Sequence, residues 1–303
     1  MTDKRATILL TGASGFIGQR LLPELLQNGF TVRALVRRAD IKLPPGVEAV
    51  TGDLLEPLSM DRAMQGIDTA FYLVHSMAGG RAGFARRDRQ AAENFVTAAT
   101  RAGIRRVIYL GGLGETGANL SEHLASRREV AEILRQGPFA TTVLRAAIII
   151  GAGGASFEMI RSLVTSLPVM ITPRWVETRC QPIAVDDVIR YLVGTLLNEA
   201  TSSDTFDIGG PDILTYREMM ERFAAILNRP VFILPVPLLT PRLSSYWVGL
   251  VTSVSPAVAI PLIEGLKNEV ICRDLRLRQL IPFPLIGYEE GIRRALSEMG
   301  LAG

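Results

Sequence analysis

The chain has 303 residues, of which 48% are hydrophobic and 21% charged, and its formal net charge is +3. This composition excludes a disordered chain, and so small a positive excess gives no reason to expect nucleic acid as a partner. The two cysteines, Cys180 and Cys272, lie far apart, form neither a disulfide framework nor a metal-binding spacing, and fit a reducing compartment. With no signal peptide and no apolar run of the roughly 18 residues that span a membrane, we predict a cytoplasmic protein.

The first predicted elements are an apolar strand over 6–10 and a helix that begins at Phe16. Three glycines with the spacing G-x-x-G-x-x-G lie between and within them. Gly12 permits a tight turn, Gly15 lets the backbone approach a pyrophosphate, and Gly18 lets the helix pack close to the strand. The helix N-terminus offers free N–H groups to phosphates. The loop therefore predicts a dinucleotide site that includes Gly12, Ala13, Ser14, Gly15, Phe16 and Ile17.

Short apolar strands then alternate with amphipathic helices up to residue 150. Further strands are predicted over 30–36, 47–51, 69–74, 106–110 and 141–150. Helices are predicted over 57–65, 88–102 and 121–135, the last with Ser121 as its N-cap. This alternation is typical of an α/β fold, and we predict a Rossmann doubly wound parallel sheet with helices on both faces.

The pattern changes after Gly151. Helices are predicted over 157–167 and 186–198, an irregular stretch over 168–173, and strands that return to the sheet over 179–184 and 205–208. Thr215 is predicted to cap a helix over 216–227, and the remainder has weaker periodicity. We predict a Rossmann domain over 1–152 to which 179–209 return, and a smaller, mostly helical lobe over 210–303 to which 153–178 contribute.

Several motifs in this order resemble those of the atypical and extended short-chain dehydrogenase/reductases, and within them the NmrA-like and YbjT-like NAD(P)-binding group. The matching stretches cover about two-thirds of the chain: 11–18, 52–54, 72–77, 109–114, 144–146, 181–188 and 206–211. The resemblance implies an NAD(P) cofactor on a Rossmann fold, with substrate contacts from segments that follow the sixth strand.

The end of the second strand favours NADP over NAD. An acidic residue there would bind a ribose 2′-hydroxyl group, but this chain has Arg37 and Arg38, which suit a 2′-phosphate. The alternative is that the two arginines form an ordinary solvated turn. Asp53 and Leu54 resemble the family pair that contacts adenine; alternatively, Asp53 caps the helix near Pro57.

The resemblance extends the cofactor site to strand ends further along the sheet. Ligands bind at the carboxyl ends of parallel strands, and the predicted site includes residues at three of these ends. These residues are Val74, His75, Gly111, Gly112, Arg145 and Ala146. His75 is one of two histidines in the chain, and a structural role competes with a catalytic one.

Active members of the resembled family carry Tyr-x-x-x-Lys on the helix after the fifth strand. In this chain His123 occupies the tyrosine position and Arg127 the lysine position, and Gly111-Gly112 replaces the helper serine or threonine. His123 is one candidate proton donor, because an imidazole titrates near neutral pH. Arg127 would then hold the nicotinamide ribose or a phosphate.

Two other interpretations stay open. Catalysis could use different residues, with Tyr72, His75 and Ser76 as candidates. Alternatively, the site has lost catalysis, and the protein is a redox sensor or an assembly factor that binds the cofactor.

The second lobe suggests the substrate class. The stretch 151–173 is rich in apolar residues, and Arg174 and Trp175 are candidate walls of a substrate pocket. The stretch 238–266 is also apolar, and its prolines and serines argue against a spanning helix. It would cover a lipophilic substrate, rest on a membrane surface with Trp247 at the interface, or pack against the first lobe or another subunit.

The leading hypothesis is an oxidoreductase that transfers hydride between NADP(H) and a lipophilic carbonyl, alcohol or quinone-like substrate. The alternative is a non-catalytic regulator whose protein partner responds to the bound cofactor. A nucleotide-sugar epimerase is third, because the tyrosine and lysine are missing. The sequence leaves the oligomeric state open.

Overall fold

A computed structural model of the chain describes residues 7–75, 83–114, 122–236 and 268–301. Within these residues, the main sheet has seven strands, all paired in parallel. They are β1 (Thr7–Thr11), β2 (Thr31–Val36), β3 (Val47–Thr51), β4 (Thr69–Tyr72), β5 (Arg106–Gly112), β6 (Ala140–Ala146) and β11 (Thr205–Ile208). Their spatial order, β11-β6-β5-β4-β1-β2-β3, reverses direction between β1 and β4. This reversal is the point at which doubly wound sheets bind their ligands.

Helices cover both faces of the sheet, as the sequence predicts. The helices of the first 200 residues are α1 (Gly18–Gln27), α2 (Asp61–Met64), α3 (Phe84–Ala102), α4 (Glu122–Leu134), α5 (Ala155–Ser166) and α6 (Val185–Leu197). A short 3₁₀ turn over Pro57–Met60 precedes α2. Helices α3 and α4 pack on one face together with Leu9, whereas α1 and α6 pack on the other together with Ile8 and Leu10. Side chains of a strand alternate between the faces, so nearly the whole of β1 is buried.

Two predicted strands differ from the observed ones. The predicted strand over 141–150 ends at Ala146, and Ile149–Ile150 forms a separate short strand, β7, which pairs in parallel with β10 (Ile183–Ala184). The stretch 179–184 does not return to the main sheet: β9 (Arg179–Cys180) pairs with β12 (Leu214–Thr215) and β10 with β7. Both errors have one cause, since the local sequence of a strand does not reveal which other strand it pairs with.

The stretch 168–173, predicted to be irregular, contains a strand, β8 (Val169–Pro173). It pairs in parallel with β13 (Phe232–Val236), a strand more than 50 residues later in the chain. Prolines at 168 and 173 suggested an irregular stretch, although both lie at positions where an edge strand tolerates them.

A third core lies beside the sheet and is built by helices α5, α7 (Tyr216–Ile226) and α9 (Tyr288–Glu298); α8 (Arg276–Leu280) packs against β11. The N-terminus of α7 has the predicted cap: Thr215 Oγ1 accepts a hydrogen bond from Glu218 N at 3.1 Å, and Glu218 Oε2 accepts one from Thr215 N at 2.7 Å. Helix α9 was not predicted, although its buried residues recur at helical spacing.

Among the helices that the described residues form, none is long and apolar enough to cross a membrane. The apolar stretch 238–266, with Trp247, lies outside the described residues, as do Ser76 and the expected cap Ser121.

Candidate functional site

The glycine loop has the backbone geometry that a dinucleotide motif requires. Gly12 has φ +71°, and a Cβ atom there would lie 2.7 Å from the carbonyl oxygen of Leu73. Gly15 N donates a hydrogen bond to Gly12 O at 2.9 Å, which closes the turn. A Cβ atom on Gly18 would lie 2.2 Å from Gly12 O, so only glycine lets α1 begin this close to β1.

Phe16 connects this loop to the chain that follows β6. A Cβ atom on Gly151 or Gly154 would lie about 3 Å from the Phe16 ring, at 3.1 and 2.9 Å. The guanidinium of Arg20 lies over the Phe16 ring, 4.7 Å from its centroid, and donates to Ala152 O at 2.9 Å. The loop is thereby held against the segment predicted to contact substrate.

A cavity of about 450 Å³ extends from the glycine loop along the carboxyl ends of the strands. It is lined by the loop itself, the ends of β4 and β5, helix α4, the residues that follow β6 as far as α5, and the C-terminal lobe. Predicted site residues that line it are Gly12, Gly15, Phe16, Ile17, His75, Gly111, Gly112, Arg127 and Ala146. The reversal of strand order between β1 and β4 opens a crevice at the carboxyl ends of the strands, and these residues meet there.

His75 and Asp88 form a buried pair at the β4 side of this cavity. His75 Nδ1 lies 3.1 Å from Asp88 Oδ2, and Ser126 Oγ donates to the same carboxylate oxygen at 3.3 Å. A carboxylate only accepts, so Nδ1 carries the proton and Nε2, which is also buried, carries the lone pair. Burial, and secondly the Arg127 cation, lower the pKa of His75 to about 4, while Asp88 opposes the fall. His75 is therefore a neutral imidazole at neutral pH.

Arg127 is the permanent positive charge among the residues that line the cavity. Its NH1 group donates to Leu110 O at 3.1 Å, and Tyr109 donates its hydroxyl hydrogen to Arg127 O at 3.3 Å. These two contacts attach the side chain and the backbone of Arg127 to β5. Arg127 Nε is buried and has no hydrogen-bond partner within the described part of the chain, so the guanidinium retains donor capacity beside the cavity.

Arg37 and Arg38 follow β2, and Asp53 follows β3. Arg37 and Arg38 are exposed, and Arg38 pairs with Asp40 at 3.5 Å, a contact that solvent screens strongly. Asp53 Oδ1 accepts a hydrogen bond from Leu55 N at 2.9 Å, while Glu56 precedes the 3₁₀ turn. The capping alternative for Asp53 is therefore wrong, and its contact with adenine stays a prediction.

Other predicted site residues lie away from the cavity lining. Leu54 is buried, and its carbonyl group accepts from Asn94 at 2.8 Å. Val74 packs against the core below α3, and Ala13 is buried while Ser14 is exposed. Arg145 Nε donates to Asp207 Oδ1 at 2.8 Å, so an internal carboxylate already binds its charge.

Among the catalytic candidates, Tyr72 is excluded by its packing. Its ring is 1% exposed and lies edge-on against Phe95 and Tyr109, and burial holds its pKa well above the usual range. His123 lies in the first turn of α4, but its side chain is outside the described part of the structure. The same holds for the side chain of Trp175, whereas Arg174 is exposed.

Two contributors to the site were missed from sequence. Asp88 is a carboxylate on the same helix face as Ala91 and Phe95, a pattern that could have identified it as a buried polar residue with a partner. Val270 lies in the cavity wall, where a Cβ atom on Gly114 would be 2.6 Å from its Cγ1 atom. No local signal marks Val270, because the chain returns to the cavity there from a distant segment.

Residues 12–158 match the model of the NAD(P)H-binding family. This part of the chain is an NAD(P)H-binding domain. The glycine loop, β4 to β6 and the Arg127 helix all lie within the match.

Two curated relatives of the protein are named reductases. A ceramide reductase from Caulobacter vibrioides is 32% identical over 198 residues, which are 63% of this chain and 61% of the relative. A (4-alkanoyl-5-oxo-2,5-dihydrofuran-3-yl)methyl phosphate reductase from Streptomyces griseus is 25% identical over 234 residues, 74% of this chain and 75% of the relative. The match therefore spans less than two-thirds of the first relative.

Solved structures with the same fold include an enzyme complexed with NADP(H). The triphenylmethane reductase of a Citrobacter species is 19% identical, with a TM-score of 0.76, and the alignment covers 95% of this chain and all (100%) of that one. A nucleoside-diphosphate-sugar epimerase from Staphylococcus aureus is 17% identical, with a TM-score of 0.79 and coverages of 94% and 99%. At these identities the two structures show the fold alone.

Proposed function

We propose that this NAD(P)-binding protein is an NADP(H)-dependent oxidoreductase acting on a lipophilic carbonyl, alcohol or quinone-like substrate. The observation that carries the proposal is one cavity whose lining includes the glycine loop, an apolar wall and Arg127. A cofactor on the loop and a substrate against the wall would therefore share one cavity.

The loop fits the cofactor, since Gly12 and Gly18 hold conformations and contacts that a side chain would prevent. Bound nicotinamide would supply or accept the hydride. Arg37 and Arg38 would contact the 2′-phosphate that distinguishes NADP. Their neighbour Asp40 is the only carboxylate within ion-pair distance of Arg38 among the described residues, and a 2′-phosphate would compete well with so exposed a contact.

Arg127 is the residue that we expect to act on the substrate oxygen. Its guanidinium stays protonated, so it cannot deliver a proton, but it can stabilise negative charge that develops on a carbonyl oxygen. His75, neutral and bonded to Asp88, would position the end of β4 beside the cofactor. The proton that completes an alcohol would come from His123 or from water, and unchanged turnover of His123→Ala would exclude His123.

The remaining wall favours an apolar substrate. Met159 and Ile160 on α5, Tyr216 at the start of α7, and Val270 contribute mostly carbon surface. The relative named a ceramide reductase supports a lipid-like substrate, because ceramide is itself a lipid. A protein with this wall would bind the apolar body of its substrate and leave one oxygen near Arg127.

The test is NADPH oxidation with a panel of long-chain aldehydes, ketones and quinones. We expect turnover with apolar members of the panel, and a loss of about 100-fold in kcat/KM for Arg127→Met, the size of a lost oxyanion donor. Arg128→Met is the matched control, because Arg128 is the next residue on α4, is exposed and pairs with Glu132. Equal losses in both variants would refute the role of Arg127.

The main alternative is a protein that binds NADP(H) without turnover, as a redox sensor or an assembly factor. The neutral, buried His75 and the missing tyrosine–lysine pair favour it. Tight NADPH binding without oxidation across the panel would support this alternative.

The preference for NADP over NAD is tested separately. The double variant Arg37→Ser with Arg38→Ser should weaken NADPH binding at least tenfold and leave NADH binding unchanged. The control variant Arg293→Ser on α9 should change neither affinity.

A further inference from the structure

Strands β8 and β13 form a two-stranded ribbon with one buried and one exposed face. Met170 and Ile233 are 1% and 7% exposed and face the third core, whereas their neighbours Val169, Ile171, Phe232 and Leu234 are 50%, 55%, 66% and 56% exposed. The register pairs Val169 with Phe232 and Ile171 with Leu234. The four side chains therefore form one continuous apolar patch, which we call the ribbon face.

A contiguous apolar patch on a solvent-exposed protein surface requires an explanation, because single apolar residues are common on such surfaces but contiguous sets are not. The four side chains offer roughly 400 Å² of apolar surface, about half of the ~800 Å² that each partner buries in a standard protein interface. The ribbon face alone is therefore too small for a stable dimer.

Arginines lie at both ends of the ribbon face. Arg174 directly follows β8 and Arg229 lies shortly before β13; both are exposed. Neither has a carboxylate partner in the described ranges, and the hydrogen bond found there for the Arg229 side chain goes to the carbonyl oxygen of Thr165, at 2.6 Å. Apolar side chains between two available cations are complementary to a bilayer surface that carries anionic headgroups.

We propose that the ribbon face docks the protein on anionic lipid bilayers. The ribbon would lie flat, so that Phe232, Ile171 and their neighbours reach the acyl boundary while Arg174 and Arg229 contact headgroup phosphates. In this orientation the open edges of the two strands stay in the hydrated headgroup region, where backbone groups keep their hydrogen bonds with water.

Flotation of the full chain with phosphatidylcholine vesicles, with and without phosphatidylglycerol, tests the proposal. We expect binding to the anionic vesicles that weakens with salt, and at least tenfold weaker binding for Ile171→Thr with Phe232→Thr. Threonine is β-branched and favours strands, so the two strands should persist. Leu58→Thr with Leu197→Thr is the matched control, because Leu58 and Leu197 are 80% and 57% exposed elsewhere on the surface.

NADPH binding by each variant verifies the fold independently of vesicle binding. Arg174→Gln with Arg229→Gln should remove the preference for anionic vesicles and retain weak binding to neutral ones. The proposal is overturned if the wild-type protein stays unbound, or if the ribbon and control variants bind equally. It is also overturned if the ribbon variants instead convert a dimer to a monomer in sedimentation. None of these outcomes depends on turnover, so the proposed oxidoreductase activity stands or fails separately.

Discussion

His75 should titrate far below an ordinary histidine. Its pKa of about 4, against 6.5 for an unperturbed side chain, results first from burial and then from the Arg127 cation. The unfolded chain takes up a proton near pH 6.5, but the folded chain does so only near pH 4. Protons therefore favour the unfolded state in this window, and the free energy of unfolding falls as the pH falls from 6.5 to 4. The fall in pKa corresponds to about 3 kcal/mol at the acid end.

Two measurements test this prediction. The chain has only two histidines, so the ring protons of His75 can be assigned by NMR with a His123→Gln variant and followed as a function of pH. Urea unfolding at pH 7 and pH 4 gives the stability term, and His75→Gln removes it. The wild-type protein should lose about 3 kcal/mol more than His75→Gln over this range.

Two substitutions identify the cause of the low pKa. Arg127→Met should raise the pKa of His75, because it removes a nearby positive charge, and Asp88→Asn should lower it further. A His75 resonance that titrates above pH 6, or equal pH dependence of wild type and His75→Gln, would refute the reasoning.

Three further predictions concern the loop, a helix cap and an internal ion pair. Gly18→Ala should weaken NADPH binding at least tenfold in a fluorescence titration, because its Cβ atom would lie 2.2 Å from Gly12 O. Gly287→Ala is the control: its Cβ atom would have its nearest contact at 3.4 Å, so this variant should bind NADPH normally. Thr215→Ala should lower the free energy of unfolding by about 1 kcal/mol in urea, because it removes the hydroxyl group that accepts the hydrogen bond from Glu218 N at the cap of α7. Asp207→Ala should cost about 3 kcal/mol or more in the same assay, because it leaves Arg145 and the N–H groups of Arg273 and Asp274 without their acceptor; a cost below 1 kcal/mol would contradict this.

The Rossmann half of the fold could be predicted because its signals are local. The strand from Val47 to Thr51 and the strand from Thr205 to Ile208 have the predicted bounds, and the helix after Thr215 begins at its predicted cap. In each case an apolar run, a glycine or a capping side chain lies within a few residues of the boundary that it determines. The NAD(P)-binding loop was predictable for the same reason.

Strand pairing outside the main sheet could not be predicted, because partners are distant in sequence. β8 pairs with β13 across more than 50 residues, and β7 pairs with β10 across more than 30. The alternation of exposed and buried residues in β8 does carry a strand signal, since Val169 and Ile171 are exposed and Met170 is buried. That signal cannot be recognised in an all-apolar stretch, where both faces look alike until the partner is known.

In the candidate site, too, features with a local sequence signal could be predicted, and contacts between distant segments could not. The glycine loop and its geometry could be predicted, because its glycines form a single local motif. Arg127 was a candidate from sequence, but Asp88 and Val270 were not, because they join the site from α3 and from a segment near residue 270. Arg127 supplies fixed positive charge beside an apolar wall, and the burial that makes this charge effective also keeps His75 neutral. In the oxidoreductase reaction that we propose, Arg127 would stabilise an oxygen anion, and the proton would come from a group other than His75.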